Sequence, residues 1–131
     1  VMDQLVGSGK RSPAGRITPT SPFINPPLST VGLGEQAARE AGYEVRVASK
    51  PVAAIAAMPR PKIVGNSDGV IKFVIDAATD RILGASLLVI DSQELINLVA
   101  LAIKQGLTAA DLAGAIYTHP SSSEAFNEVL A

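Results

Sequence analysis

The chain contains no cysteine, so nothing in it can form a disulfide, a thiolate metal site or a thiol nucleophile. Tryptophan is also absent. The aromatic residues are two tyrosines and three phenylalanines, too few for a platform on which bases stack. Charge of neither sign dominates: the formal net charge is −1, which gives no electrostatic case for nucleic acid or an anionic membrane. No apolar run approaches the ~20 residues of a membrane-spanning helix, and the start lacks the charged-then-apolar pattern of a signal peptide. A cytoplasmic protein with no nucleic-acid or membrane partner is expected, and no metal site is read. Histidine occurs once, at position 119, so any imidazole chemistry rests on one residue.

What is present is globular. Hydrophobic residues make up 47% and charged ones 18%, a balance that buries a core rather than staying unfolded. The length of 131 residues suffices for one domain. Residues 1–22 stand apart. Val1-Met2-Asp3-Gln4-Leu5-Val6 fits the end of a helix, and the run from Gly7 to Arg16 holds too many breakers for regular structure. Lys10, Arg11 and Arg16 oppose only Asp3 there, so this stretch is basic while the remainder is acidic. The chain opens on valine rather than methionine. Residues 1–22 therefore read as a linker with a remnant of a preceding domain, in a piece cut from a longer protein; residues 23–131 read as the domain proper.

Within that domain, Phe23 to Leu33 reads as extended, and Pro26-Pro27 confine it to a sheet edge or interrupt it. Gly34 to Ala41 reads as a short helix closed by Gly42, and Tyr43 to Val47 alternates as a strand. Three prolines break up residues 51–64, with one helical turn at Ala53–Ala57. Val70–Asp76 and Arg81–Ile90 form a hairpin turning at Ala77–Asp80, with Asp80 able to adopt a left-handed conformation. Asp91 and Glu94 read as a capping box for a helix whose apolar stripe is Leu95, Ile96, Leu98, Val99, Ala102 and Ile103, closed by Gly106. Thr108, with Asp111 third in line, caps a further helix to about Ile116. Neighbouring strands joined by a hairpin, followed by helices, imply an α+β fold: an antiparallel sheet with helices packed on one side.

The stretch Thr118-His119-Pro120-Ser121-Ser122-Ser123-Glu124 holds the candidate chemistry. Proline directly after His119 biases it toward extended geometry and stops any helix from running through it. Ser121 and Glu124 match the S-x-x-E box that opens a last helix, Ser122 to about Leu130. His119 thus sits on a bend before a helix start, where its side chain aims outward. Capping alone accounts for Glu124, and a lone histidine is more often a surface or satisfied core residue than a catalyst.

Four stretches, taken in order, resemble the C-terminal dimerisation domain of the class I pyridine nucleotide–disulfide oxidoreductases, the family of glutathione reductase, dihydrolipoamide dehydrogenase and mercuric reductase. They are Pro26-Pro27-Leu28-Ser29-Thr30-Val31-Gly32-Leu33; Gly69 to Asp76 with Arg81-Ile82-Leu83-Gly84-Ala85; Glu94-Leu95-Ile96-Asn97 with Ala100-Leu101-Ala102-Ile103; and His119-Pro120 with Glu124, similar to the family's H-P-x-x-x-E signature. The resemblance implies a homodimeric parent enzyme with its own FAD and NAD(P) domains, residues 1–22 then ending the FAD domain. It implies that FAD and NAD(P)H belong to the parent, that neither binds this fragment alone, and that the fragment is inactive. By similarity His119 exchanges a proton with the partner subunit's redox thiol, Glu124 holds the ring and supports its cation, and the backbone of Thr118, His119 and Pro120 lies near the partner's FAD. Such a pair is chemically sound, because histidine as a residue type titrates near neutral pH and a carboxylate orients an imidazole and stabilises its cation. A role in cell redox homeostasis follows.

Mercuric reductases usually lack this histidine and end in a cysteine pair, so that branch is disfavoured. Met2-Asp3-Gln4-Leu5, Asn25-Pro26-Pro27-Leu28-Ser29 and Leu87-Leu88-Val89-Ile90-Asp91-Ser92 are most similar to the bacterial reactive-chlorine-resistance flavoproteins, which reduce copper. Gly34 stands where the family usually has threonine, as does Ser121; both keep a tolerable cap. Two other readings compete: a free-standing α+β interaction module in which His119 merely precedes a helix, and a serine hydrolase, which lacks a G-x-S-x-G elbow.

Overall fold

A computed structural model of the chain describes residues 5–7, 9, 12 and 15–131. Strands β1 (Leu28–Gly32), β2 (Val45–Pro51), β3 (Val70–Asp76) and β4 (Ile82–Leu88) form one antiparallel sheet in the order β1-β4-β3-β2. Around it lie α1 (Glu35–Glu40), α2 (Pro59–Ile63), α3 (Ser92–Gln105), α4 (Ala109–Ala113) and α5 (Ala125–Val129), with a 3-10 turn at Val52–Ala54. The α+β architecture is as expected from the sequence, and the Pro26-Pro27 pair ends just short of an edge strand.

Cross-strand register explains which residues form the core. Ile71 pairs with Leu87 and Phe73 with Ala85, and partners across a ladder share a face. That face, with Val31 and Ile75, is buried against Leu95, Ile96, Val99 and Ala102 of α3 and Phe126 and Val129 of α5. Lys72 lies between two core residues and so points the other way, where its ammonium meets Glu35 of α1 at 2.8 Å. The short α1 therefore covers the face opposite the main helical layer.

β1 and β4 approach so closely that only glycine fits. A Cβ on Gly84 would lie 2.2 Å from the Leu33 carbonyl oxygen, and one on Gly32, whose φ is +72°, would lie 2.2 Å from that of Leu83. Gly84→Ala is expected to destabilise the fold by about 1–3 kcal/mol, as overpacking does. Urea unfolding of the variant checks this, and an unchanged midpoint would contradict it.

A hydroxyl relay fastens β1 to the start of α3. Ser92 Oγ donates to the Pro27 carbonyl at 2.9 Å, so its contact with the Ser29 Oγ at 2.9 Å has Ser29 donating, and Ser21 donates to Ser29 at 2.7 Å. Ser29 and Ser92 are fully buried, and the relay satisfies both. Thr20 pairs with Thr30 through two backbone hydrogen bonds of 2.9 Å, so the chain is already tied to the sheet edge before residue 23. Leu5 and Val6 are helical; the rest of the expected helix end, and the basic pair Lys10-Arg11, lie outside the described residues.

Several local expectations are corrected. β2 begins at Val45 and runs on to Pro51, because it pairs with β3 along its whole length. Pro59 and Pro61 do not break the chain but open α2, since the first-turn N–H groups of a helix need no partner within it. The Thr108–Asp111 box forms in full, yet α4 stops at Ala113 before Gly114. Asp91 is not a side-chain cap: it takes a left-handed conformation, φ 63°, and makes no cap hydrogen bond. Its carboxylate is engaged elsewhere.

Candidate functional site

His119 stands on an exposed turn between α4 and α5. The His119–Pro120 peptide is cis. The side chain is 73% exposed, and its Nδ1 lies 2.8 Å from Glu124 Oε1. An ionised carboxylate only accepts, so Nδ1 carries the proton and Nε2 is the ring atom left open. The second Glu124 oxygen accepts the Ser121 N–H at 2.7 Å. Hydrogen bonds from His119, first, and from Ser121 hold the Glu124 carboxyl below the usual carboxylate range.

This arrangement alters the expected capping box. Glu124 does reach back to the Ser121 N–H, but Ser121 Oγ bonds Ser123 Oγ at 3.0 Å rather than the backbone of residue 124. Ser122 to Glu124 form turns closed by i→i−3 bonds, and the helix proper starts at Ala125. The segment before the histidine is also fixed. Asn127 Nδ2 donates to the carbonyls of Ala113 and Ala115 at 2.7 and 2.8 Å. Tyr117 Oη donates to the Leu112 carbonyl at 2.9 Å, and burial pushes its phenol pKa up. Thr118, His119 and Pro120 are exposed, and their backbone groups bond no other described residue.

The resemblance pairs His119 with Glu124, and the structure brings the two side chains into contact. The partners that hold the turn in place were not foreseen from the sequence. Ser122 Oγ donates to Asp91 Oδ2 at 2.7 Å, and Arg60 Nε lies 3.5 Å from the same oxygen. No local signal pairs positions 31 residues apart; the one hint was an aspartate directly before a helix. Among the described residues no group of three His, Asp or Glu side chains could hold a metal, and no helix is long and apolar enough to cross a membrane.

The Glu128 carboxylate accepts from Lys50 Nζ at 2.5 Å and from the Ala57 N–H at 2.8 Å. These bonds, Lys50's first, hold its pKa down, as does the Ala110 N–H, foremost, for Asp80. A carboxyl lowered on folding adds stability that is complete above its unfolded pKa of about 4 and lost as pH falls toward the folded value. The urea midpoint is therefore expected to stay level from roughly pH 7 to 5 and to drop below about pH 4. A midpoint unchanged at about pH 3 would contradict these assignments.

The chain belongs to the pyridine nucleotide-disulphide oxidoreductase dimerisation-domain family, whose pattern matches residues 18–130. It is similar to the probable pyridine nucleotide-disulfide oxidoreductase RclA of Escherichia coli (strain K12), with 46% identity over 132 residues that cover 100% of this chain and 29% of RclA. The solved structure of that HOCl-induced flavoprotein disulfide reductase superimposes with a TM-score of 0.89 over 98% of this chain and 29% of RclA, at 45% identity, and RclA has also been solved as a Cu(II) complex. A dihydrolipoyl dehydrogenase of Mycobacterium tuberculosis (strain ATCC 25618 / H37Rv) is 40% identical over 113 residues, 86% of this chain and 24% of that protein. The chain thus spans less than a third of the length of these relatives.

Proposed function

We propose that this domain carries the acid–base histidine of an FAD-dependent, NAD(P)H-linked disulfide oxidoreductase and presents it, across a homodimer, to the partner subunit's redox disulfide. One observation carries the reading: an exposed imidazole is oriented through Nδ1 by a carboxylate of its own turn, leaving Nε2 open. A surface histidine that merely preceded a helix would need no such clamp. Reducing a disulfide to two thiols takes two electrons and two protons; a nicotinamide hydride brings both electrons and one proton. On this reading Nε2 moves the second proton to and from the sulfur, while Glu124 stabilises the imidazolium. FAD, bound in the parent, supplies the electron relay between nicotinamide and disulfide. The exposed backbone of Thr118, His119 and Pro120, unpaired within the described chain, suits a surface that lies against the flavin.

Residues 1–22 are read as the junction from a preceding FAD domain, its last residues already fastened to β1. The fragment alone then lacks flavin, nicotinamide and disulfide machinery and turns over no NAD(P)H. The parent enzyme is assigned to the cytoplasm, with a disulfide as acceptor and Cu(II) as a second acceptor class, the latter because a relative 46% identical in sequence has a Cu(II) complex. The test is a visible absorption spectrum of the intact parent before and after NADPH. A flavin spectrum that bleaches, or gains a long-wavelength thiolate–flavin band, supports the proposal; a colourless parent unable to take up FAD refutes it.

A further inference from the structure

We infer that Asp91 is a positioning residue for His119, acting through Ser122; this rests on the acid–base reading above. The starting point is a local rule broken. An aspartate directly before a helix normally caps it with its side chain, yet the Asp91 carboxylate makes no cap bond and the residue adopts a left-handed backbone, which non-glycine residues seldom take. Departures of this kind concentrate where structure serves function. The freed carboxylate accepts the hydroxyl of Ser122 at 2.7 Å, with Arg60 Nε 3.5 Å from the same oxygen.

Ser122 lies between the proline that follows His119 and the glutamate that holds its ring. The bonds of Glu124 to His119 and Ser121, and of Ser121 to Ser123, all close within residues 119–124. They shape the turn but do not fix it to the body of the domain. Asn127 ties the chain before it to the end of α4. The Ser122–Asp91 bond is the tether to the junction of β4 and α3, the two elements that carry much of the core. Ser122 is only 7% exposed, so its hydroxyl is largely withdrawn from water, while the Asp91 carboxylate that accepts it is 32% exposed. Loss of the tether leaves the His119–Glu124 pair intact and free to shift as a unit.

The test uses the full-length parent enzyme, reduced by two electrons with NADPH, and needs no external disulfide. The readout is the pH midpoint at which the long-wavelength thiolate–flavin absorbance is lost, which reports how well His119 supports the thiolate. His119→Ala is expected to move that midpoint upward by about one pH unit, a tenfold change in the thiolate-to-thiol ratio. Ser122→Ala, and Asp91→Gly, which keeps the left-handed backbone without the carboxylate, are expected to move it in the same direction. The double variant is expected to go no further than either single one, because both remove one interaction. Asp91→Asn, which keeps an acceptor and tolerates the backbone, is expected to restore the parent midpoint. Parent-like midpoints in Ser122→Ala and Asp91→Gly, beside a shifted His119→Ala, overturn the positioning role and leave the acid–base reading standing. A parent-like His119→Ala overturns that reading and the inference with it.

Discussion

His119→Ala in the intact parent is expected to lower disulfide turnover by roughly 10²- to 10⁴-fold, the usual contribution of a positioned acid–base group. FAD content, dimer assembly and the rate of flavin reduction by NAD(P)H are expected to stay at parent levels. The structure separates these effects. The imidazole is 73% exposed and its one hydrogen bond in the described chain is to Glu124, so removing it empties no core and orphans no buried group. Glu124 keeps its bond to the Ser121 N–H and Ser121 its bond to Ser123, so the turn retains its other internal side-chain bonds. Stopped-flow measurement of both half-reactions checks this. Equal loss in both would point to damage at the flavin rather than to lost proton transfer, and full turnover would remove His119 from the chemistry.

Phe126→Ala is expected to act differently, through stability. Phe126 is fully buried, two residues beyond Glu124, and meets Phe73 of β3 edge-on at 5.4 Å and 87°. It meets Tyr117, two residues before His119, at 6.0 Å and 82°. The ring therefore joins the sheet to both arms of the histidine turn. Truncating a buried phenylalanine leaves a cavity and costs about 3–5 kcal/mol. The expected outcome is a loss of that size in urea unfolding, with the cavity opening under Tyr117 and the turn. A loss below about 1 kcal/mol would mean that the surroundings collapse into the space, and that Phe126 does not hold the turn to the sheet.

Features coded by neighbouring residues were legible in the sequence. The β3–β4 hairpin, Asp80 in its left-handed turn, the apolar stripe of α3 and the Thr108–Asp111 box all depend on spacings of a few positions, and the structure has each of them. The His119–Glu124 pair was expected from the family resemblance rather than from spacing, and the structure joins the two on one turn. Features set by distant partners were not. Asp91 next to a helix start reads as a cap until Ser122 arrives from the end of the chain. Glu124 reads as half of a capping box until His119 takes one oxygen, and the final helix then begins at Ala125. The prolines at 59 and 61 read as breakers because only the structure reveals that they fall in a first turn. The sheet order, with β4 between β1 and β3, rests on close approach at Gly32 and Gly84, which no periodicity encodes.

Delivery of His119 to the partner's disulfide is tested most directly by a hybrid dimer. One subunit of the parent carries His119→Ala with its redox cysteines intact; the other keeps His119 but has those cysteines replaced by serine. Each homodimer is expected to be inactive in disulfide turnover. In the hybrid, the intact cysteines face the intact histidine across the interface, so about half the parent activity is expected, one working site of two. A hybrid as inactive as the two homodimers would mean that His119 serves its own subunit or serves no disulfide, and would contradict its delivery across the interface.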